Sequence, residues 1–406
     1  MDKLVLTNAR LIDGTGVQPK ENATITIDNG RITSITTQPP EEIQNPKSET
    51  QNHIDLEGRT LLPGLINAHM HIMMDAGPDP VKGLKPDALP SIVLKGAKRG
   101  EQMLRAGITA ARDLGGFEYG ELALRDAFAA DEMPGPRLLC AGKVVTMTGG
   151  HGWDIGFEAD GPDEVRKAVR RNIKRGVDCI KMMATGGVLT PGVEPGASQL
   201  SEAEMKAGVE EARNVGKRTA SHAQGTEGIK NAIRAGIDTI EHGIFLDEEA
   251  IEMMIERGVV FVPTLAAPYQ IVEAGEAKGI PAYALEKSRR VIDAHRRSFE
   301  WAVRSGVTIS AGNDGGTPFN PVHDLVTELR LMVEAGLDHL GAIRAATYGS
   351  ARALGLSEET GTIQKGKWAD CLILEKDVNP LNDITALGQV WMVIKQGKIA
   401  VQKRNS

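Results

Sequence analysis

The chain has 406 residues, 41% of them hydrophobic, enough to bury a large core, and an α/β barrel would take up most of that length. Its net charge is -7, its Lys and Arg are scattered and only 4% of it is aromatic, so it lacks the basic stripe and stacking platforms that nucleic acid or an anionic membrane would need. No apolar stretch reaches the ~18 residues of a membrane span, the start Met1-Asp2-Lys3-Leu4 lacks the layout of a signal peptide, and Cys140, Cys179 and Cys371 are an odd, widely spaced set that fits a reducing compartment. The expectation is a soluble cytoplasmic protein acting on a small-molecule substrate, with homo-oligomerisation left open.

At the N-terminus Leu4-Val5-Leu6, Ala23-Thr24-Ile25-Thr26-Ile27, the turn Asp28-Asn29-Gly30 and Arg31-Ile32-Thr33-Ser34-Ile35 spell strands and a hairpin. Residues 36–52, rich in Pro, Glu, Gln and Asn, read as an exposed loop. The central region then alternates apolar strand candidates, at 61–68, 108–112, 137–145, 178–184, 218–222, 238–242, 259–264 and 307–311, with helical patterns. Ser201 and Glu204 form a capping box, Val165, Val169 and Ile173 repeat at helical spacing before Gly176, and Asp247 and Gly258 bracket another helix. At the C-terminus Cys371-Leu372-Ile373-Leu374 and Val390-Trp391-Met392-Val393-Ile394 precede a Gln396-Gly397 turn and Ile399-Ala400-Val401.

Eight strands alternating with helices predict an α/β fold, a (β/α)8 TIM-like barrel over 59–359. An open doubly wound sheet is the alternative, but no Gly-rich phosphate turn follows the early strands. The terminal strands, 1–58 and 360–406, are too few to stand apart and are expected to pair into one small β-sandwich domain.

Reactive residues of such a barrel sit at the C-terminal ends of its strands. Strand one ends in His69-Met70-His71, whose period of two turns both imidazoles to one face, where they can share a metal ion. Strand four carries Lys181, strand five His222, strand six His242 and strand eight Asp314. Singly, each has an ordinary structural reading: a salt-bridged lysine, a hydrogen-bonded imidazole, a turn-forming aspartate. Together they place metal-ligand chemistry around one barrel mouth.

At these residues the chain resembles the metal-dependent amidohydrolase superfamily, over nearly its full length and including Gly361-Thr362-Ile363-Gln364-Lys365-Gly366-Lys367-Trp368-Ala369-Asp370 of the flanking β domain. The resemblance implies two divalent ions: His69, His71 and Asp314 on the first, His222 and His242 on the second, and Lys181, carboxylated by CO2, bridging both. A carbamate is anionic with two oxygens, whereas an ammonium has no lone pair to give a cation. Zinc suits the ligand types, with manganese, cobalt and iron as alternatives. Such ions lower the pKa of a bound water from ~15.7 toward ~7, giving a hydroxide nucleophile, and Asp314 would carry its proton to the leaving nitrogen.

Within the superfamily, Arg112-Asp113, Thr148-Gly149-Gly150-His151-Gly152 and Lys181-Met182-Met183-Ala184-Thr185-Gly186-Gly187 look like the prolidase (Xaa-Pro dipeptidase) and carboxypeptidase subgroup. This implies hydrolysis of an amide in a dipeptide or N-acyl amino acid. His151 is expected to contact the substrate carbonyl, with a loop-stabilising imidazole as its alternative. Gln224 and His323 are further expected substrate contacts, although Gln224 stands where several relatives have tyrosine or histidine, and a surface histidine at a helix start is the alternative for His323. Asn313 precedes Asp314 where threonine or serine is usual. Arg112 and Asp113 read as a buried pair under the site, and the Gly-rich loop 186–198 as a mobile segment that would cover substrate, with a plain surface loop as its alternative. The rivals are a lactonase, phosphotriesterase or other cyclic-amide hydrolase on the same site, a deaminase, and a non-catalytic scaffold. A deaminase would want an acid where Gly225 stands, and a scaffold would have lost ligands.

Overall fold

The computed structural model describes residues 3–37 and 51–403, so most of the expected loop at 36–52 lies outside the described residues. Both termini build one eight-stranded sheet. Its order is Lys398–Gln402, Val390–Lys395, Cys371–Leu374, Thr60–Pro63, Lys3–Leu11, Lys20–Asp28 and Arg31–Thr36, with Gln51–Asp55 parallel to Lys3–Leu11. Leu6 and Ile25 from one end, Leu61 from the joining strand, and Ile373 and Met392 from the other end share one buried cluster.

The two hairpin turns explain why the ends meet. Asn29 (φ 48°) and Gly30 (φ 79°) form one, and Gln396 (φ 49°) and Gly397 (φ 76°) the other, each with two left-handed residues as a tight hairpin requires. They pack tip to tip: a Cβ on Gly397 would lie 2.4 Å from the Gly30 Cα, so only glycine permits the approach.

The central region forms parallel ladders. One runs Leu65–Met70, Ile108–Asp113, Arg137–Cys140; the other runs Gly156–Glu158, Val144–Thr146, Cys179–Met183, Arg218–Ala223, Thr239–His242, Val260–Val262. Asp178 N donates to Cys140 O at 2.8 Å across one gap between them. Across the other, residues 308–315 lie between the ladders: Phe261 bridges Ile309, Met70 bridges Gly315, and Asp314 N donates to His69 O at 2.9 Å. The strands are buried on both faces, as expected of parallel strands covered by helices. The Ser201–Glu204 capping box and the glycine stops at Gly176 and Gly258 are present as expected.

Three expected strands differ. The run 61–68 divides at Gly64, Thr60–Pro63 joining the terminal sheet and Leu65–Met70 the parallel one, because a Cβ at Gly64 would meet Thr109 Oγ1 at 2.2 Å and the chain can turn there only without one. The run 137–145 is broken by left-handed Gly142, with Asn172 Nδ2 donating to Lys143 O in place of a ladder bond. Residues 307–311 make only isolated bridging contacts, since Ala311 N turns to Ala345 O and Ser350 Oγ instead of a neighbouring strand.

Candidate active site

Strand ends converge on one cavity of about 390 Å³ lined by His69, His71, His151, Lys181, His222, Gln224, His242 and Asp314. Asp314 Oδ1 lies 3.3 Å from His69 Nε2 and 3.2 Å from His71 Nε2. His69, His242 and Asp314 offer ligand atoms that all lie within 4.8 Å of one another. Ring centroids continue the cluster: His69 to His242 is 5.1 Å, His242 to His222 is 4.4 Å, and His222 to His151 is 4.3 Å.

Acceptors behind the rings fix which nitrogen faces the cavity. His69 Nδ1 is 2.9 Å from Glu241 Oε2 and His71 Nδ1 is 3.1 Å from Gly115 O, so each Nδ1–H is spent outward and Nε2 keeps its lone pair. Thr264 Oγ1 donates to Pro263 O and therefore accepts from His242 Nδ1, 2.7 Å away, with the same result. His222 is turned the other way, its Nε2 lying 3.2 Å from Gly186 O, which leaves Nδ1 free. Both His242 and Asp314 are held in the left-handed region, at φ 74° and 55°, a strain that clusters at working sites.

The electrostatics suit cation binding. Burial holds His222 and His242 well below the usual histidine range, so both are neutral imidazoles with a lone pair to offer. Burial would raise Asp314, but His69 and His71 win and hold its carboxyl well below the usual range. Burial, opposed by Glu241 and Asp314, lowers the Lys181 amine to about 8. Burial also lowers His151 to about 4, helped by Lys181, so it is a neutral donor or acceptor at the mouth. Its Nδ1 is 2.8 Å from Thr190 Oγ1, and its ring fills the space beside Gly187, where a Cβ would lie 2.6 Å away.

Some expectations are corrected. His323 is half-buried and is not among the residues lining the cavity, because the segment it occupies is held outward by Asn313 Nδ2, which donates to Asn320 Oδ1, Pro321 O and Asp324 O. Arg112 and Asp113 do not pair, since neighbours on a strand point to opposite faces. Arg112 donates to Ala68 O and Glu241 Oε1, while Asp113 accepts from Ile72 N and Gly115 N and so shapes the turn that carries His71. The loop 186–198 does roof the cavity through Val188, Leu189, Thr190 and Pro191. It is tied to the helix Ala282–Ser305, however: Tyr283 Oη donates to Leu189 O, Lys287 Nζ to Thr190 O and Val193 O, and Arg290 pairs with Glu194.

Sequence reasoning passed over Glu241, Thr264 and His295, the last lining the cavity with its Nε2 2.7 Å from Pro263 O. Glu241 had a legible signal, a carboxylate inside the apolar run Thr239-Ile240-Glu241, which burial forbids without a cationic partner.

The amidohydrolase family model matches residues 60–400. The ochratoxinase of Aspergillus niger is 32% identical over 427 aligned positions, covering 96% of this chain and 85% of its own. Among solved structures, a Xaa-Pro dipeptidase with methionine bound in its active site superposes with a TM-score of 0.88 at 31% identity, covering 98% of this chain and 99% of that one. A prolidase described as putative, from Bifidobacterium longum, gives 0.86 at 32%, covering 100% and 96%. The chain therefore belongs to the amidohydrolase family, in its prolidase-like subgroup, and is a hydrolase that acts on C–N bonds.

Proposed function

We propose that the protein hydrolyses the amide bond of a dipeptide or N-acyl amino acid at a dinuclear metal centre. The single observation that carries the reading is the position of Asp314 Oδ1, buried without a hydrogen bond and within 3.3 Å of two imidazole Nε2 atoms whose other nitrogens are occupied. A carboxylate so placed, beside two imidazoles whose outward nitrogens are already taken, is arranged for a cation. His69, His71 and Asp314 would hold one ion and His222 and His242 the other. Lys181 supports a bridging role: burial lowers its amine to about 8 and so enlarges the free-base share that reacts with CO2, and the resulting carbamate would join the two ligand sets.

The ions, zinc by ligand type, would supply an ionised water near neutral pH and a Lewis acid for the carbonyl. Asp314 then holds the proton taken from water and delivers it to the departing nitrogen. His151, neutral and at the mouth, donates to the carbonyl oxygen as it gains charge. Water adds across the C–N bond, leaving a carboxylate and an amine. We further propose that the ladders close through residues 307–315 into a (β/α)8 barrel, with the terminal sheet folded over as a sandwich and the switch between units at Gly64. The bonds of Phe261 to Thr308 and of His69 to Asp314 support closure.

The test is a screen of metal-loaded protein against dipeptides and N-acyl amino acids varied at the C-terminal residue, with lactones and phosphotriesters alongside and metal content measured in parallel. Amide turnover with two ions per chain is expected. Lactone opening without amide turnover would overturn the substrate, and one ion per chain at full activity would overturn the dinuclear centre.

A further inference from the structure

Gln224 is 4% exposed, lines the cavity, and its Oε1 has no hydrogen-bond partner in the protein. Its backbone is fixed on both sides: Gln224 N donates to Thr185 Oγ1 at 3.0 Å and Phe245 N donates to Gln224 O at 2.9 Å. The side chain cannot therefore leave the wall by moving the chain. It sits two residues beyond His222, beside the cluster where the amide must react. A buried acceptor without a donor is costly, and a site keeps one where the ligand brings the missing partner.

The surroundings narrow that partner. Among the described residues lining the cavity there is no arginine, and Lys82, at the rim, is exposed. Lys287, close behind the roof, already donates to Thr190 O and Val193 O. Lys181 and the histidines with Asp314 belong to the reacting cluster assigned to the ions, and beyond them the cavity presents apolar walls, such as Met183, Val188, Leu189 and Ile244, around a neutral acceptor. A neutral donor is the matching group, and the one that every secondary amide brings to the reacting carbon is its own N–H.

Resting on the amide-hydrolase reading above, we propose that Gln224 Oε1 accepts the N–H of the scissile amide and so selects secondary amides over tertiary ones. A prolyl or N-methyl amide has no N–H and leaves Oε1 buried and unpaired. The hydrogen bond also orients the nitrogen, turning its developing lone pair away from Gln224 and toward the proton that Asp314 delivers. Sites built to hydrogen-bond a substrate N–H reject analogues lacking it far more strongly than apolar pockets reject a methylene.

The experiment compares matched substrates, N-acetyl-phenylalanine with its N-methyl analogue and glycyl-leucine with glycyl-proline, on zinc-loaded wild type and on Gln224→Met, which keeps length and removes the acceptor. Wild type should favour the N–H member by roughly 10- to 100-fold in kcat/KM. In Gln224→Met the ratio should fall to a few-fold, through slower turnover of the N–H substrate. Equal rates on both members of each pair in wild type would overturn the inference while leaving amide hydrolysis intact, and that comparison needs no variant to fold. Full discrimination retained in a folded, metal-replete Gln224→Met would assign the preference to shape and also overturn it. No amide turnover beside lactone opening would remove the functional reading and this inference together.

Discussion

Glu241 accepts from His69 Nδ1 on one carboxylate oxygen, at 2.9 Å, and from Arg112 on the other, also at 2.9 Å, in a spot with no solvent exposure. The carboxylate fixes the His69 tautomer and ring angle, and the guanidinium, anchored to Ala68 O, fixes the carboxylate. Glu241 on strand Thr239–His242 therefore steers the His69 ring carried by strand Leu65–Met70.

Glu241→Gln should leave the Arg112 charge buried and unbalanced. Breaking a buried pair in this way costs about 3–5 kcal/mol, and loosening a ring of this kind lowers metal affinity about 10- to 100-fold. Burial would raise the Glu241 carboxyl, but Arg112 and His69 win and bring it down to about 2 from an ordinary 4.5. Its stabilising contribution is complete above 4.5 and is lost as pH falls from 4.5 through 2. Urea midpoints between pH 2 and 6 should show that slope in wild type and lack it in Glu241→Gln.

Lys181→Met and Asp314→Asn should each reduce turnover by at least about 10³-fold, the size of several kcal/mol of lost charge stabilisation. Circular dichroism should show the fold retained. The lysine also has a pH signature in metal-free protein kept free of CO2. Its amine sits at about 8 when folded and 10.5 when not, so the unfolded chain binds more protons across that window and stability rises with pH between them. The rise should vanish in Lys181→Met. Wild-type activity surviving in either variant would exclude the two-ion centre.

His151→Ala should lower kcat about 10²- to 10³-fold, the effect of losing one donor to a developing oxyanion, with a smaller change in KM. Because burial holds His151 near 4, the wild-type rate should show no ionisation of this residue between pH 5 and 8. Thr190→Val removes the partner of His151 Nδ1 and should give an intermediate loss. A steep ionisation near 6.5 that disappears in His151→Ala would contradict a neutral imidazole.

That these residues gather around one cavity was legible because strand position and residue type decide it: His69 and His71 obey the period of two, and Lys181, His222 and His242 lie on or at the ends of parallel strands. Its supports were not, because they depend on which strands lie side by side. Arg112 was read with its neighbour Asp113, yet the sheet sends one toward Glu241 and the other toward Ile72 N. The division at Gly64 left no trace in hydropathy, since Leu61-Leu62 and Leu65-Ile66 are equally apolar; its one written sign is Pro63-Gly64, and the contact with Thr109 enforces it. His323 lies close in sequence to Asp314, but the carbonyl contacts of Asn313 set the path of the chain between them.

Glu328 supplies the last prediction. Its carboxylate, fully buried on the helix Leu325–Glu334, accepts from Leu265 N at 2.9 Å and Ala266 N at 2.7 Å, at the start of the helix Ala266–Ala274. These bonds pin the residues just after Thr264, which is itself left-handed at φ 56° and holds His242 Nδ1. Burial pushes the carboxyl up to about 8 from 4.5 against the pull of those amides. The folded state therefore binds more protons than the unfolded chain between 4.5 and 8, and stability falls as pH rises through that window. Glu328→Gln cannot ionise and should flatten the slope. Its amide can accept only at one oxygen, so one backbone N–H is orphaned at a cost of about 1–3 kcal/mol. If the pin matters to His242, calorimetric zinc titration should show weaker binding of one of two ions in Glu328→Gln; unchanged affinity beside a lower Tm would reduce Glu328 to a helix cap.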